Sequence, residues 1–187
     1  MTTSARRPVL VLATLNRGKL AELIGLLGDV GHEIRPLADW PGASLPEETE
    51  ASYAGNALLK ARAAARMTGC LVLADDSGLE VDALDGGPGV RSARYGGPGL
   101  DDSGRVRRLL DALHGVPPER RTARFRCVIA ILAPGPAEPQ FTDGVVEGVI
   151  AAAPRGTGGF GYDPVFFYPP LGRTLAELTD AEKAGVS

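Results

Sequence analysis

The first candidate site is a polar loop that joins an apolar run to an amphipathic segment. Its residues are Thr14, Leu15, Asn16, Arg17, Gly18 and Lys19. A helix that starts here leaves its first N–H groups unpaired, and these groups and the helix dipole favour an anion. Lys19 adds a positive charge, so the loop predicts a phosphate site. It is not a Walker A loop, because Ala13 and Leu20 stand where that motif needs Gly and Ser or Thr. The alternative is an ordinary turn with a solvated lysine.

The second candidate site is acidic. Residues 75–78, Asp-Asp-Ser-Gly, follow a short apolar run, and open α/β sheets bind ligands where such strands end. Neighbouring residues of a strand point to opposite faces, so the two carboxylates need not share a role. One could hold a hard cation and activate water, and Glu47 or Glu48 could add an oxygen ligand, as suits Mg²⁺. The alternatives are a turn with a helix cap at 75–78 and favourable helix-start charge at the two glutamates.

The third candidate site is the glycine-dense segment 156–164, Gly-Thr-Gly-Gly-Phe-Gly-Tyr-Asp-Pro. Its glycines formally match the dinucleotide-binding pattern, but that motif must open a helix, and here an aromatic run with Pro164 follows. We therefore reject a Rossmann site. Such a segment would let the backbone approach a flat ligand while an aromatic ring stacks on it. The alternative is a glycine-rich turn with core aromatics.

The elements that must position these sites alternate between strands and helices. Strands are expected at 9–14, 33–37, 71–74, 123–132, 141–152 and 162–168, and helices around 20–27, 53–65 and 106–113. The two longest strands flank a Pro-Gly-Pro turn, which suggests an antiparallel hairpin, and 79–104 is expected to be a long ordered loop. Together they predict one mixed-sheet α/β domain.

Composition excludes several classes of protein. The chain has 187 residues, 44% of them hydrophobic, and is long enough for one sizeable core. Its formal charge of −3 and the lack of a dense Lys/Arg block disfavour a nucleic-acid partner. No apolar run reaches the ~20 residues of a membrane span, so we expect no membrane partner and a soluble, cytoplasmic protein. Cys70 and Cys127 lie among apolar residues, typical of buried reduced thiols.

Five motifs, in order, resemble those of the inosine/xanthosine triphosphate pyrophosphatases, the noncanonical purine nucleoside triphosphate pyrophosphatases. They are Thr14-x-Asn16-x-x-Lys19; Glu47-Glu48-Thr49 with Asn56-Ala57-x-x-Lys60-Ala61; Ala74-Asp75-Asp76-Ser77-Gly78-Leu79; Ser92-Ala93-Arg94-Tyr95; and the glycine-dense segment. The resemblance spans residues 9–187. It implies an elongated mixed β-sheet with flanking helices, two lobes around a central nucleotide-binding cleft, Mg²⁺ as cofactor and a homodimer.

The activity that the resemblance implies is hydrolysis of ITP, dITP and XTP to the monophosphate and pyrophosphate, which cleanses the nucleotide pool. Asp76 would be the catalytic carboxylate and, with Glu48, a metal ligand. The loop from Thr14 to Lys19 would bind triphosphate, and Ser77 would touch substrate. The base would meet Phe160, Gly161, Tyr162 and Asp163, and Lys183 matches a late lysine that contacts the nucleotide.

Two departures from the family pattern leave alternatives open. Gly55 stands where the family has Glu before the asparagine of its second helix. A Ser-His-Arg segment and a final helix should follow the last residue given, Ser187, so residues 1–187 would be a single pyrophosphatase domain without them. The alternatives are a related pyrophosphatase for other modified nucleotides and a catalytically silent nucleotide-binding module.

Overall fold

The structure is a computed structural model that describes residues 7–186; residues 1–6 and Ser187 of the predicted single domain lie outside the described part. Seven strands form one sheet in the order β2-β1-β3-β4-β5-β6-β7. They are β1 (Val9–Leu12), β2 (Glu33–Pro36), β3 (Leu71–Val81), β4 (Thr122–Leu132), β5 (Gln140–Ile150), β6 (Phe166–Tyr168) and β7 (Arg173–Thr174). β1 runs parallel to β2 and β3, whereas β6 is antiparallel to β5 and β7. The predicted mixed α/β fold is confirmed.

Four α-helices accompany the sheet in the described residues: α1 (Arg17–Leu27), α2 (Tyr53–Thr68), α3 (Asp102–Ala112) and α4 (Asp180–Ala184). Each of the first three begins at a side-chain cap, from Asn16, Ser52 and Asp101 respectively. Gly69 follows α2 as its C-cap, and its φ of +66° is the left-handed conformation that favours glycine after a helix. Among residues 7–186 no helix is long and apolar enough to cross a membrane.

The chain divides into two compact units. The first unit comprises the described residues up to Asp76 together with Val128–Thr142. Side chains of β1 and β3 alternate between two layers of its core. On one face Val11 and Val72 pack with the alanines of α2, and on the other Leu12 and Leu73 pack with the leucines of α1. Both faces are covered, which explains the uninterrupted apolar runs of these strands.

The second unit comprises Ser77–Cys127 and the described residues from Asp143 onward. Its core joins Val106 and Leu109 of α3, and Leu113 directly after this helix, to Leu79 and Phe166, all of them buried. It therefore has a hydrophobic cluster of its own, separate from those of the first unit.

Four sequence predictions were wrong in detail. β3 does not end at residue 74, because Leu79 and Val81 continue its buried alternation, so 75–78 is strand and not turn. The expected loop 79–104 therefore begins as strand and then holds two 3₁₀ turns, Asp82–Leu84 and Gly89–Arg94. The strand expected at 162–168 is shortened to β6, because the Val165 N–H bonds to Tyr162 O in a turn. Cys70 and Cys127 are half-buried rather than buried.

Candidate active site

β3 places the two adjacent aspartates, and their partners differ. Asp75 and Asp76 are 4% and 3% exposed. Lys19 Nζ lies 2.6 Å from Asp75 Oδ2, and Asn56 Nδ2 donates to Asp76 Oδ2 at 3.0 Å. The opposite directions of neighbouring strand side chains account for this separation, as the sequence predicts. Buried carboxylates are costly unless they are paired, and each of these has a donor.

α2 supplies the partners of Asp76. Asn56 and Lys60 lie four residues apart, on one face of the helix, and are buried. Asn56 is oriented by the Glu50 N–H, which donates to its Oδ1 at 3.0 Å. Lys60 Nζ lies 2.9 Å from Glu48 Oε1 and 3.8 Å from Asp76 Oδ1. One ammonium group therefore faces both predicted metal ligands. Lys19, Glu48, Asn56, Lys60, Asp75 and Asp76 are hereafter the carboxylate cluster.

Sequence reasoning assigned no role to Asn56 or Lys60. A signal was present, because these two polar side chains interrupt an apolar face made of Ala57, Ala61 and Ala64. A buried asparagine and lysine on such a face need polar partners in the interior.

Burial raises the pKa of Asp76 above its ordinary value. The charge of Lys60 and the hydrogen bond from Asn56 oppose this rise, while the neighbouring Glu48 charge adds to it. A carboxylate with a raised pKa is a stronger base than an exposed one, which suits removal of a proton from water.

The predicted phosphate loop is a capped helix start. Asn16 Oδ1 accepts the N–H groups of Gly18 at 2.8 Å and Lys19 at 3.1 Å, and the Asn16 N–H bonds to Thr14 Oγ1. Two of the amides on which the phosphate prediction relied are therefore already bonded. Thr14 is buried, whereas Leu15, Asn16 and Arg17 are exposed. Lys19 is the residue of this loop that reaches Asp75.

The carboxylate cluster fits a hard divalent cation. Asp75 Oδ1 is buried and has no hydrogen-bond partner among the described residues, so it can accept a further ligand. Glu48 is half-buried, whereas Glu47 is exposed, so Glu48 is the glutamate that joins the cluster. Within residues 7–186 no three His, Cys, Asp or Glu side chains group as a complete metal cage. Mg²⁺ is commonly held by one or two carboxylates, with water and phosphate oxygens as its other ligands.

The residues predicted to bind the base lie in the second unit, within the glycine-dense segment 156–164, hereafter the base segment. Asp163 organises the backbone of this segment. Asp163 Oδ2 accepts the Phe160 N–H at 2.8 Å and is paired with the buried Lys183 ammonium. Lys183 Nζ also lies 4.8 Å from the centroid of the Phe160 ring. The structure therefore brings the distant Lys183 together with Phe160 and Asp163, as predicted for residues of one site.

Close approach of the backbone explains one glycine of this segment. A Cβ at Gly159 would lie 2.0 Å from Asp163 Oδ2, and its φ is +68°. No side chain can occupy that position while Asp163 keeps its bonds to Phe160 and Lys183.

Tyr162 differs from its neighbours. It is 5% exposed, and its hydroxyl donates to the backbone oxygen of Ser92 at 2.9 Å. Burial raises the pKa of this phenol. Its hydroxyl is used within the fold, as the core-aromatic alternative for this segment predicts. Gly161, beside it, donates its N–H to Asp102 Oδ2 at 2.9 Å. Ser77 is half-buried in β3, directly after Asp76.

The chain is similar to known proteins over almost its whole length. A protein named dITP/XTP pyrophosphatase from Geobacillus kaustophilus is 49% identical over 178 residues, 95% of this chain and 87% of the relative. The protein of that name from Shigella flexneri is 50% identical over 179 residues, covering 95% and 90%.

Solved structures give the same result. A HAM1 protein from Coxiella burnetii superposes with a TM-score of 0.86 at 44% identity, covering 96% of this chain and 91% of that one. A nucleoside-triphosphatase / dITP/XTP pyrophosphatase from Mycobacterium abscessus gives 0.75 at 43% identity, covering 95% and 91%. The profile of the Ham1 family matches residues 10–187. The chain belongs to the Ham1 family.

Proposed function

We propose that this protein hydrolyses noncanonical purine nucleoside triphosphates, namely ITP, dITP and XTP, to the monophosphate and pyrophosphate. The observation that carries the proposal is the buried Asp75–Asp76 pair, faced by the ammonium groups of Lys19 and Lys60. Relatives about half identical to this chain and named dITP/XTP pyrophosphatase support the substrate class.

Asp76 takes a proton from the attacking water in this mechanism. Asn56 donates to one carboxylate oxygen of Asp76 and leaves the other, Oδ1, on the side of Lys60. The leaving pyrophosphate gains negative charge as the bond breaks, and fixed positive charges stabilise that change. Lys19 provides one such charge once phosphate oxygens compete with Asp75 for its ammonium group, and Lys60 provides another.

Mg²⁺ is the proposed cofactor, and Asp76 and Glu48 are its proposed ligands. When bound, the ion would neutralise phosphate charge and lower the pKa of a coordinated water. Lys60 lies near both of these carboxylates, and its positive charge offsets part of the repulsion between them.

The base is proposed to bind at Phe160, Gly161, Tyr162 and Asp163 with Lys183. The Phe160 ring offers a surface for stacking, and the Asp163–Lys183 pair keeps the backbone of this segment in place. In the loop from Thr14 to Lys19, the ammonium of Lys19 is the group proposed to meet the triphosphate, and Ser77 is proposed to contact substrate.

Pyrophosphate release from ITP, dGTP and dUTP in the presence of Mg²⁺ tests this function. We expect turnover of ITP well above that of the other two, and loss of activity in EDTA that Mg²⁺ restores. Preferred turnover of dUTP would support instead a pyrophosphatase for other modified nucleotides. Binding of ITP without turnover would support a silent nucleotide-binding module.

Residues 1–187 are proposed to act as a single pyrophosphatase domain that assembles as a cytoplasmic homodimer. The resemblance of the sequence to the pyrophosphatase family supports this proposal. Light scattering on the purified protein should give twice the mass of 19.4 kDa, and a monomeric mass would contradict the dimer.

A further inference from the structure

The bond between Gly161 and Asp102 joins the base segment to the start of α3, across 59 residues of sequence. We propose that Asp102, supported by Arg105, is a positioning residue that holds Phe160–Asp163 in its binding conformation and thereby sets KM and base preference. This inference rests on the proposed role of that segment in binding the base.

Asp102 is available for this task because its neighbour caps the helix. Asp101 is the N-cap of α3, and its side chain accepts the Gly104 N–H at 2.7 Å. Asp102 is the first residue of the helix, and its carboxylate accepts instead from Gly161, at 2.9 Å. The two adjacent aspartates therefore have different partners: Asp101 caps the helix, and Asp102 binds the base segment at Gly161.

Arg105 supports Asp102 from one turn further along α3. Arg105 Nη1 lies 3.4 Å from Asp102 Oδ1, on the carboxylate oxygen that Gly161 does not use. The Arg105 side chain is only 19% exposed, whereas that of Asp102 is 58% exposed. A mostly buried arginine side chain fixes the direction of the carboxylate better than a fully solvated partner would, because its own rotamers are restricted.

The Gly161 peptide is a sensitive point of the base segment. Gly161 has a φ of +60°, and the amide before it, on Phe160, is held by Asp163. The phenol after it, on Tyr162, is tied to Ser92 in the core. Without the bond to Asp102, the peptide between Phe160 and Gly161 loses its attachment to α3, and the Phe160 ring moves with it.

The expected kinetic signature separates positioning from chemistry. Asp102→Ala should raise KM for ITP about three- to tenfold and leave kcat within about twofold, because the chemical step at Asp76 is untouched. The preference for ITP over ATP in kcat/KM should fall by a similar factor. Asp102→Asn keeps an oxygen that accepts the Gly161 N–H, so it should recover most of the loss.

Asp101→Ala is the matched control. It removes a carboxylate from the same helix start but none from the base segment. It should lower Tm by about 2–4 °C through loss of the cap and leave KM and the ITP-to-ATP ratio unchanged. Equal changes of KM in the two alanine variants would show that weakening α3 is the cause, and would overturn the proposal.

The remaining outcomes are also decisive. If Asp102→Asn were as impaired as Asp102→Ala, the positioning role would be wrong. It would also be wrong if KM were unchanged in Asp102→Ala while the wild-type enzyme was active. Neither result would contradict the proposed function. No ITP turnover by the wild-type enzyme would contradict the proposed function itself.

Discussion

The carboxylate cluster and the base segment use opposite means to hold functional groups. In the carboxylate cluster the side chains of Asp76 and Lys60 project from regular secondary structure, a strand and a helix respectively. In the base segment the backbone of Phe160 and Gly161 is itself irregular, and the side chains of Asp163 and Asp102 hold it. The carboxylate cluster, where we propose the chemical step, thus holds its charged groups on a helix and a strand. In the base segment, where we propose base recognition, carboxylates hold the amides of a loop.

This difference predicts how each region fails. A substitution in the carboxylate cluster removes a charge without moving the backbone, so it should lower kcat. A substitution in the base segment moves the backbone without removing the reacting groups, so it should raise KM.

The largest effect is expected from Asp76→Asn. An amide can neither accept the proton of water nor neutralise a cation, so kcat should fall by about 10³-fold or more. The fold should persist, because Asn56 can still donate to the remaining oxygen at position 76. Steady-state kinetics and circular dichroism measure both results. If Asp75→Asn were inactive and Asp76→Asn active, the roles of the two aspartates would be reversed.

Lys60→Gln should be next in size, with a loss of about 10²-fold in kcat/KM. Because the Lys60 charge lowers the pKa of Asp76, its removal should raise that pKa and move the acid limb of the kcat/KM profile to higher pH. Lys60→Arg keeps the charge and is the control. An acid limb at the same pH in Lys60→Gln would show that the ammonium does not act on Asp76.

Gly159→Ala tests the base segment. The new Cβ would collide with Asp163 Oδ2, so the bonds from Phe160 and Lys183 to this carboxylate should break, raising KM for ITP about tenfold with a smaller change in kcat. Gly172→Ala is the control, since Gly172 has a similar positive φ, of +63°, but no atom of residues 7–186 within 4 Å of the new Cβ. Similar kinetics in both variants would attribute the effect to backbone strain alone.

The sequence predicted these two regions unequally. The apolar runs and helical spacings located β1, α1 and α2 within a few residues, because both faces of β1 and one face of each helix are set by burial. Lys60 received no role, because its partner Asp76 lies sixteen residues away, and this proximity depends on how α2 packs on β3. Gly161 and Asp102, which are joined by a hydrogen bond, are still further apart in the sequence. The local pattern shows that a residue such as Lys60 needs a polar partner, but it does not show which residue that partner is.

The smallest expected effect concerns stability at low pH, to which Glu182 near the base segment should contribute. Glu182 precedes Lys183 in α4, and it accepts bonds from Arg173 and from the Thr179 N–H. The Arg173 hydrogen bond, followed by those from Thr179, lowers the pKa of Glu182 from 4.5 to about 2. A group with a depressed folded pKa stabilises the fold above its unfolded pKa, and that contribution is lost as pH falls through the folded value.

Glu182 should therefore stabilise the helix that carries Lys183 at pH 7, and lose this effect only between about pH 4.5 and pH 2. Because the pKa of Asp76 is raised, activity should be lost at a higher pH than the stabilising contribution of Glu182. In thermal melts the Tm difference between wild type and Glu182→Gln should be constant near neutrality and shrink below pH 4.5. Since Glu182 touches neither region's reacting groups, kcat at pH 7 should change little. A Tm difference that persisted at pH 2 would mean that Glu182 stabilises α4 by packing rather than by charge. The helix that carries Lys183 would then gain no stability from the ionised Glu182 carboxylate.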